Sequence, residues 1–151
     1  MALLGGCETA PVVDAPAPPL PDVAPLASNE LSRLGRLDLA AGNSGLAEQH
    51  FRGAVEKNGN DADAWLGLAA AYDNLKRFDL ADRAYDHAIK LQGTTFEIIN
   101  NLGYSYLLRG DRTRALAELQ KAAAMQPNND VVRNNILLLR SGDLPNRSAN
   151  P

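Results

Sequence analysis

The residues of this chain with chemistry to offer are two histidines, one cysteine, a short acidic pair, two nearby arginines and two asparagine pairs. His50 and His87 lack the His-Glu-x-x-His spacing with which two imidazoles share a zinc ion while a glutamate acts as base. No Gly-x-Ser-x-Gly elbow or phosphate-cradling glycine loop accompanies them. Cys7 stands alone, so the chain can build neither an internal disulfide nor a cysteine-rich zinc site, and no base is positioned to activate the thiol. Asp61 and Asp63 flank a helix start, where capping and the helix dipole account for them. Arg33 and Arg36 lie three residues apart and can receive a carboxylate, or simply be solvated. Asn100-Asn101 recurs as Asn134-Asn135, 34 residues later. An amide offers both a donor and an acceptor to an extended backbone, although an asparagine on a helix face is as readily solvated. The expected chemistry is recognition, with no enzyme activity, cofactor or metal.

Composition narrows the partner. The 151 residues carry 15 Lys plus Arg against 18 Asp plus Glu, a net charge of −3, and no Lys or Arg precedes Arg33. No basic field is available for nucleic acid phosphates. No run of 18 or more apolar residues occurs, so no segment reads as a membrane-spanning helix.

The elements that must position these residues come from a repeat. Blocks 28–61, 62–95 and 96–129 align at a spacing of 34. Their fourth positions hold Leu31, Trp65 and Ile99; their seventh, Leu34, Leu68 and Leu102; their eighth, Gly35, Ala69 and Gly103. Position eleven holds Asp38, Tyr72 and Tyr106, position twenty Ala47, Ala81 and Ala115, and position twenty-four Phe51, Tyr85 and Leu119. Position twenty-seven is Ala54, Ala88 and Ala122, and Pro127 follows near the end of the third block. Steps of three and four on two successive segments predict a helical hairpin per block, with small residues allowing close approach and Trp65, Tyr72, Phe51 and Tyr85 filling the space between blocks. Gly42 and Gly110 fall at the turns, where Lys76 stands in the middle block; Asp79, Asp111 and Thr94 with Glu97 are expected caps.

This pattern resembles the tetratricopeptide repeat, which implies an all-α solenoid of three helix-turn-helix repeats. A capping helix over 130–140 follows, closing a domain at 28–141, with a disordered tail at 142–151. Leu137 and Leu138 widen the apolar surface of that helix, so self-association through this end is conceivable. The resemblance further implies that the first helix of each pair lines a concave binding face for a protein or peptide segment. The residues so placed include Arg33, Arg36, Asp63, Leu66, Asp73, Glu97, Asn100, Asn101 and Tyr104, with Asn134 and Asn135 on the capping helix. Of the positions that hold a carboxylate in chaperone-tail clamps, here Ser32, Arg36, Gly67, Glu97 and Asn101, only Asn101 suits that role. Glu97 would repel it.

Residues 1–27 read differently. Six of the nine prolines lie between Pro11 and Pro25, in a segment of small apolar residues that suits a semi-extended, disordered linker. Leu4-Gly5-Gly6-Cys7 ahead of it resembles the lipobox of bacterial lipoproteins, implying lipidation at Cys7 and, with Glu8 next, an outer-membrane protein facing the periplasm. Six residues are too few for an export leader, so this reading requires a longer native start. The alternative is a soluble adaptor, cytoplasmic or periplasmic, with an accidental thiol. Asn100-Asn101-Leu102-Gly103-Tyr104-Ser105, the Gly110-Asp111 turn and Asn134-Asn135 before a leucine run resemble the TadD-type lipoproteins of tight-adherence (Flp) pilus assembly. That resemblance implies a scaffold for an envelope-assembly component.

Overall fold

The computed structural model describes residues 25–142. Among them are seven α-helices: α1 (Ser28–Ala40), α2 (Ser44–Lys57), α3 (Ala62–Asn74), α4 (Phe78–Gln92), α5 (Phe96–Leu108), α6 (Arg112–Met125) and α7 (Asp130–Ser141). They form three antiparallel hairpins and a single last helix, the arrangement the 34-residue period predicts.

Each hairpin turns by the same device. The backbone N–H of Asn43 donates to the Asp38 carbonyl at 2.8 Å, Arg77 to Tyr72 at 2.9 Å and Asp111 to Tyr106 at 2.9 Å. These bonds bridge equivalent repeat positions and satisfy a carbonyl that the helix end leaves open. The geometry needs a left-handed residue just before the donor, supplied by Gly42 at φ +80°, Gly110 at φ +78° and, at a steric cost, Lys76 at φ 58°. Between hairpins, Asp61 caps α3 and Thr95 caps α5, each side chain accepting a backbone N–H three residues on; Asp111 does the same for α6. Two expected caps move. Thr95, not Thr94, caps α5, because the chain straightens only at Thr95 after a left-handed Gly93 at φ 75°. Asp79 lies inside the first turn of α4 behind Arg77, where it favours the dipole without capping.

Close approach is visible atom by atom. A Cβ on Gly35 would lie 2.8 Å from the Phe51 ring, and one on Gly103 would lie 2.7 Å from Leu119. Gly67, on the next repeat, is tighter still at 2.3 Å from the same Phe51. Phe51 thus wedges between its own first helix and the following one, and Phe51, Tyr85 and Leu119 are fully buried in successive repeats. Trp65 is half-buried. Its Nε1 donates to the Gly59 carbonyl at 2.9 Å and its ring stacks on His87, with centroids 4.2 Å apart.

The curvature follows from which helices touch. Consecutive first helices pack on one another, α1 on α3, α3 on α5 and α5 on α7, whereas the backbones of the second helices α2, α4 and α6 stay farther apart. The inner side of the bend is therefore lined by first helices. No described helix is long and apolar enough to cross a membrane.

Candidate functional site

On the inner side, helical periodicity leaves a solvent-facing stripe along each first helix. On α3 it holds Asp63, Leu66, Ala70 and Asn74; on α5, Glu97, Asn101, Tyr104 and Leu108. On α1 it runs through Asn29, Arg33, Arg36 and Ala40, and on α7 through Val131, Asn134, Leu138 and Ser141. The central floor is apolar. Leu66 packs against the core of the first two repeats, Tyr104 and Leu138 against that of the third repeat and α7. Beside Leu138 lies an open hollow of about 660 Å³ bounded by Asn134, Leu137, Leu138, Arg140 and Ser141.

Eight of the residues expected on this face lie along it: Arg33, Arg36, Asp63, Leu66, Glu97, Asn101, Tyr104 and Asn134. Arg33 is already paired, its Nη2 2.6 Å from Glu30, which raises its own pKa and lowers that of Glu30 through the shared hydrogen bond. Arg36, Asp63 and Glu97 are exposed.

Three expected residues are withdrawn from the face. Asn100 and Asn135 are only 5% and 8% exposed, and the Asn135 amide donates to the Asn100 carbonyl oxygen at 2.9 Å. They bond each other across the α5/α7 seam, Asn100 from position five of α5 and Asn135 from position six of α7. Of the two asparagine pairs, only Asn101 and Asn134 are therefore left to meet an occupant.

Asp73, 3% exposed, is the third. It accepts from the Tyr85 hydroxyl at 2.8 Å and the Ser105 hydroxyl at 2.7 Å, with the Arg109 guanidinium 3.6 Å away. Arg109 in turn donates to both oxygens of Asp82, at 2.6 and 2.9 Å, and lies over the Phe78 ring. Burial pushes the Asp73 carboxyl above its ordinary value, opposed by the two hydroxyls and the guanidinium. Burial, reinforced by the Asp73 charge, raises the Tyr85 phenol well above its usual range. This network ties the second repeat to the third. The periodicity alone did not reveal it; the signal was an acid two residues after the small-residue run Ala69-Ala70-Ala71, with hydroxyls at Tyr85 and Ser105.

The histidines have structural partners. His50 Nδ1 lies 2.6 Å from Asp38, in the repeat where aspartate replaces the position-eleven tyrosine, and His87 faces Trp65. Among the described residues no group of three or more His, Cys, Asp or Glu could hold a metal ion. Cys7 lies outside the described residues.

The sequence pattern of the tetratricopeptide repeat matches residues 62–95 and 96–129, the second and third hairpins with the boundaries the spacing gave. These are tetratricopeptide repeats. The first hairpin repeats their turn bond and their packing. A 71-residue stretch is 35% identical to the peroxisomal targeting signal receptor of Yarrowia lipolytica, covering 47% of this chain but only 12% of that receptor. Among solved structures, pilF of Pseudomonas aeruginosa superposes with a TM-score of 0.63 at 25% identity, over 76% of this chain and 53% of that one. The first repeat domain of Spaghetti (RPAP3), bound to the HSP90 peptide SRMEEVD, gives 0.64 at 16% identity, over 76% and 91%. Tetratricopeptide repeats are protein-interaction scaffolds, and this chain has that fold.

Proposed function

We propose that the chain is a non-catalytic scaffold that holds an extended segment of another protein against the inner face of its first helices. The observation that carries this reading is the continuous stripe from Leu66 and Ala70 through Asn101 and Tyr104 to Asn134 and Leu138, an apolar floor interleaved with amides. Such a surface suits a peptide, whose side chains need apolar contact and whose backbone needs donors and acceptors. The HSP90 peptide bound to the RPAP3 domain, which shares this fold, supports a peptide as occupant.

The finer part of the proposal is an envelope-assembly role with a lipid anchor at Cys7, the proline-rich segment acting as a tether. It is supported by Leu4-Gly5-Gly6-Cys7 and by the resemblance of Asn100-Asn101-Leu102-Gly103-Tyr104-Ser105 to the TadD-type lipoproteins. The partner is then an envelope-assembly component, such as one of a pilus.

Crosslinking and mass spectrometry in the native host, compared between the wild type and an Ala70→Arg/Leu138→Arg variant, test the face. The expected result is loss of the crosslinked partner with helicity unchanged. Undiminished capture by the variant would refute the site. Palmitate labelling of the full native gene product, with Cys7→Ala as control, tests the anchor separately; absence of label would remove it.

A further inference from the structure

We infer that the segment held by the inner face is apolar and cationic, with its positive side chains lying over the first turns of α3 and α5. This rests on the binding face proposed above and specifies its occupant.

The argument starts from the four first-turn acids. Each of α1, α3, α5 and α7 carries one: Glu30, Asp63, Glu97 and Asp130. The helix dipole favours an acid there, so their presence alone says nothing about a ligand. Their pairing does distinguish them. Glu30 is held by Arg33 and Asp130 by Arg133, each arginine one turn further along the same helix. Asp63 has Leu66 and Gly67 at the corresponding positions, and Glu97 has Asn100 and Asn101. Both are exposed, and among the described residues neither has a hydrogen-bonding or ionic partner.

These two carboxylates hold equivalent positions on neighbouring helices, on one edge of the apolar floor made by Leu66, Ala70, Tyr104 and Leu138. Helices in contact lie ~8–10 Å apart, so the two charges suit cations roughly two to four residues apart on an extended chain. An acidic segment crossing α3 and α5 would meet uncompensated repulsion at both carboxylates, whereas a cationic one gains attraction without displacing an existing ion pair. On α1 the sign reverses at Arg36, which also has no partner among the described residues. The cations of the occupant are thereby confined to α3 and α5, and the end over α1 is neutral or acidic. Four helices span ~30 Å, or about nine residues of extended chain.

The test is display of a randomised peptide library of about twelve residues, panned on the full chain. Expected are enriched sequences carrying Lys or Arg among apolar residues, with affinity that falls as salt rises and drops ~3- to 10-fold in Asp63→Asn/Glu97→Gln. Enrichment of acidic or uncharged sequences, or of cationic ones indifferent to both salt and that variant, would overturn the inference. If such binders are still lost in Ala70→Arg/Leu138→Arg, the face itself stands. Binders that survive Ala70→Arg/Leu138→Arg, or no enrichment at all, would overturn the inference together with the binding face.

Discussion

Asp73 and Asn135 show how a residue's position in a repeat and its burial can disagree. Both occupy positions assigned to the inner face, and both turn inside, because the fold supplies a matching group: the Tyr85 hydroxyl of the same hairpin and the Ser105 hydroxyl of the next for one, Asn100 for the other. Partner choice of this kind depends on side chains far apart in the chain, which a fixed register does not encode. The exposed charges Arg36, Asp63 and Glu97 were legible, since nothing across the fold competes for them. Asp73 also gives the stability a pH dependence. Its carboxyl ionises at higher pH in the folded chain than in the unfolded one, so the folded state binds the proton first as pH falls. The stability linked to this proton is fully present below the ordinary carboxylate value of 3.8 and is lost as pH climbs through the raised folded value. Thermal melts of wild type and Asp73→Asn should therefore shift in favour of wild type on acidification from neutral pH. A constant difference across that range would show that Asp73 is not strained by burial.

Between elements, packing is set by what is missing from a side chain as much as by what is present. The eighth-position glycines were legible as small residues, but Gly67 at position six was not, because its reason is Phe51 from the preceding repeat. A Cβ there would overlap the ring, with backbone on one side and an aromatic wedge on the other. Gly67→Ala should cost ~1–3 kcal/mol in urea unfolding, and a smaller wedge in the double variant with Phe51→Leu should return part of it. Equal stability of Gly67→Ala and wild type would mean that α2 and α3 do not approach this closely. The caps divide similarly. Asp61 and Asp111 act where their spacing implied, while the shift from Thr94 to Thr95 depends on the backbone path through Gly93.

Across the whole molecule, neighbouring repeats interact and distant ones do not, so stability varies along the array. The helix count and order were readable from the 34-residue period, whereas the inner placement of first helices came only from the family resemblance. The end of the described array was less so, because α7 has no hairpin partner among the described residues. It is held by Val132 and Leu139 in the core, the Arg112 bond to the Leu139 carbonyl, and the Asn135 bond to Asn100. Asn135→Ala strands a buried amide oxygen at a cost of ~1–3 kcal/mol. Hydrogen exchange should then show the amides of α7 losing protection while those of α3 and α4 keep theirs. Uniform loss along the chain would instead mark one cooperative unit.

Leu137 sits at the eighth position of α7, where Gly35, Ala69 and Gly103 stand in the three hairpins, and is 55% exposed. A helix seated as closely on α7 as α6 is on α5 would meet an isobutyl group where a hydrogen or a methyl is required. Anyone grafting an additional repeat onto this scaffold would have to trim that leucine first. Left in place, it would hold such a helix farther from α7 than α6 lies from α5.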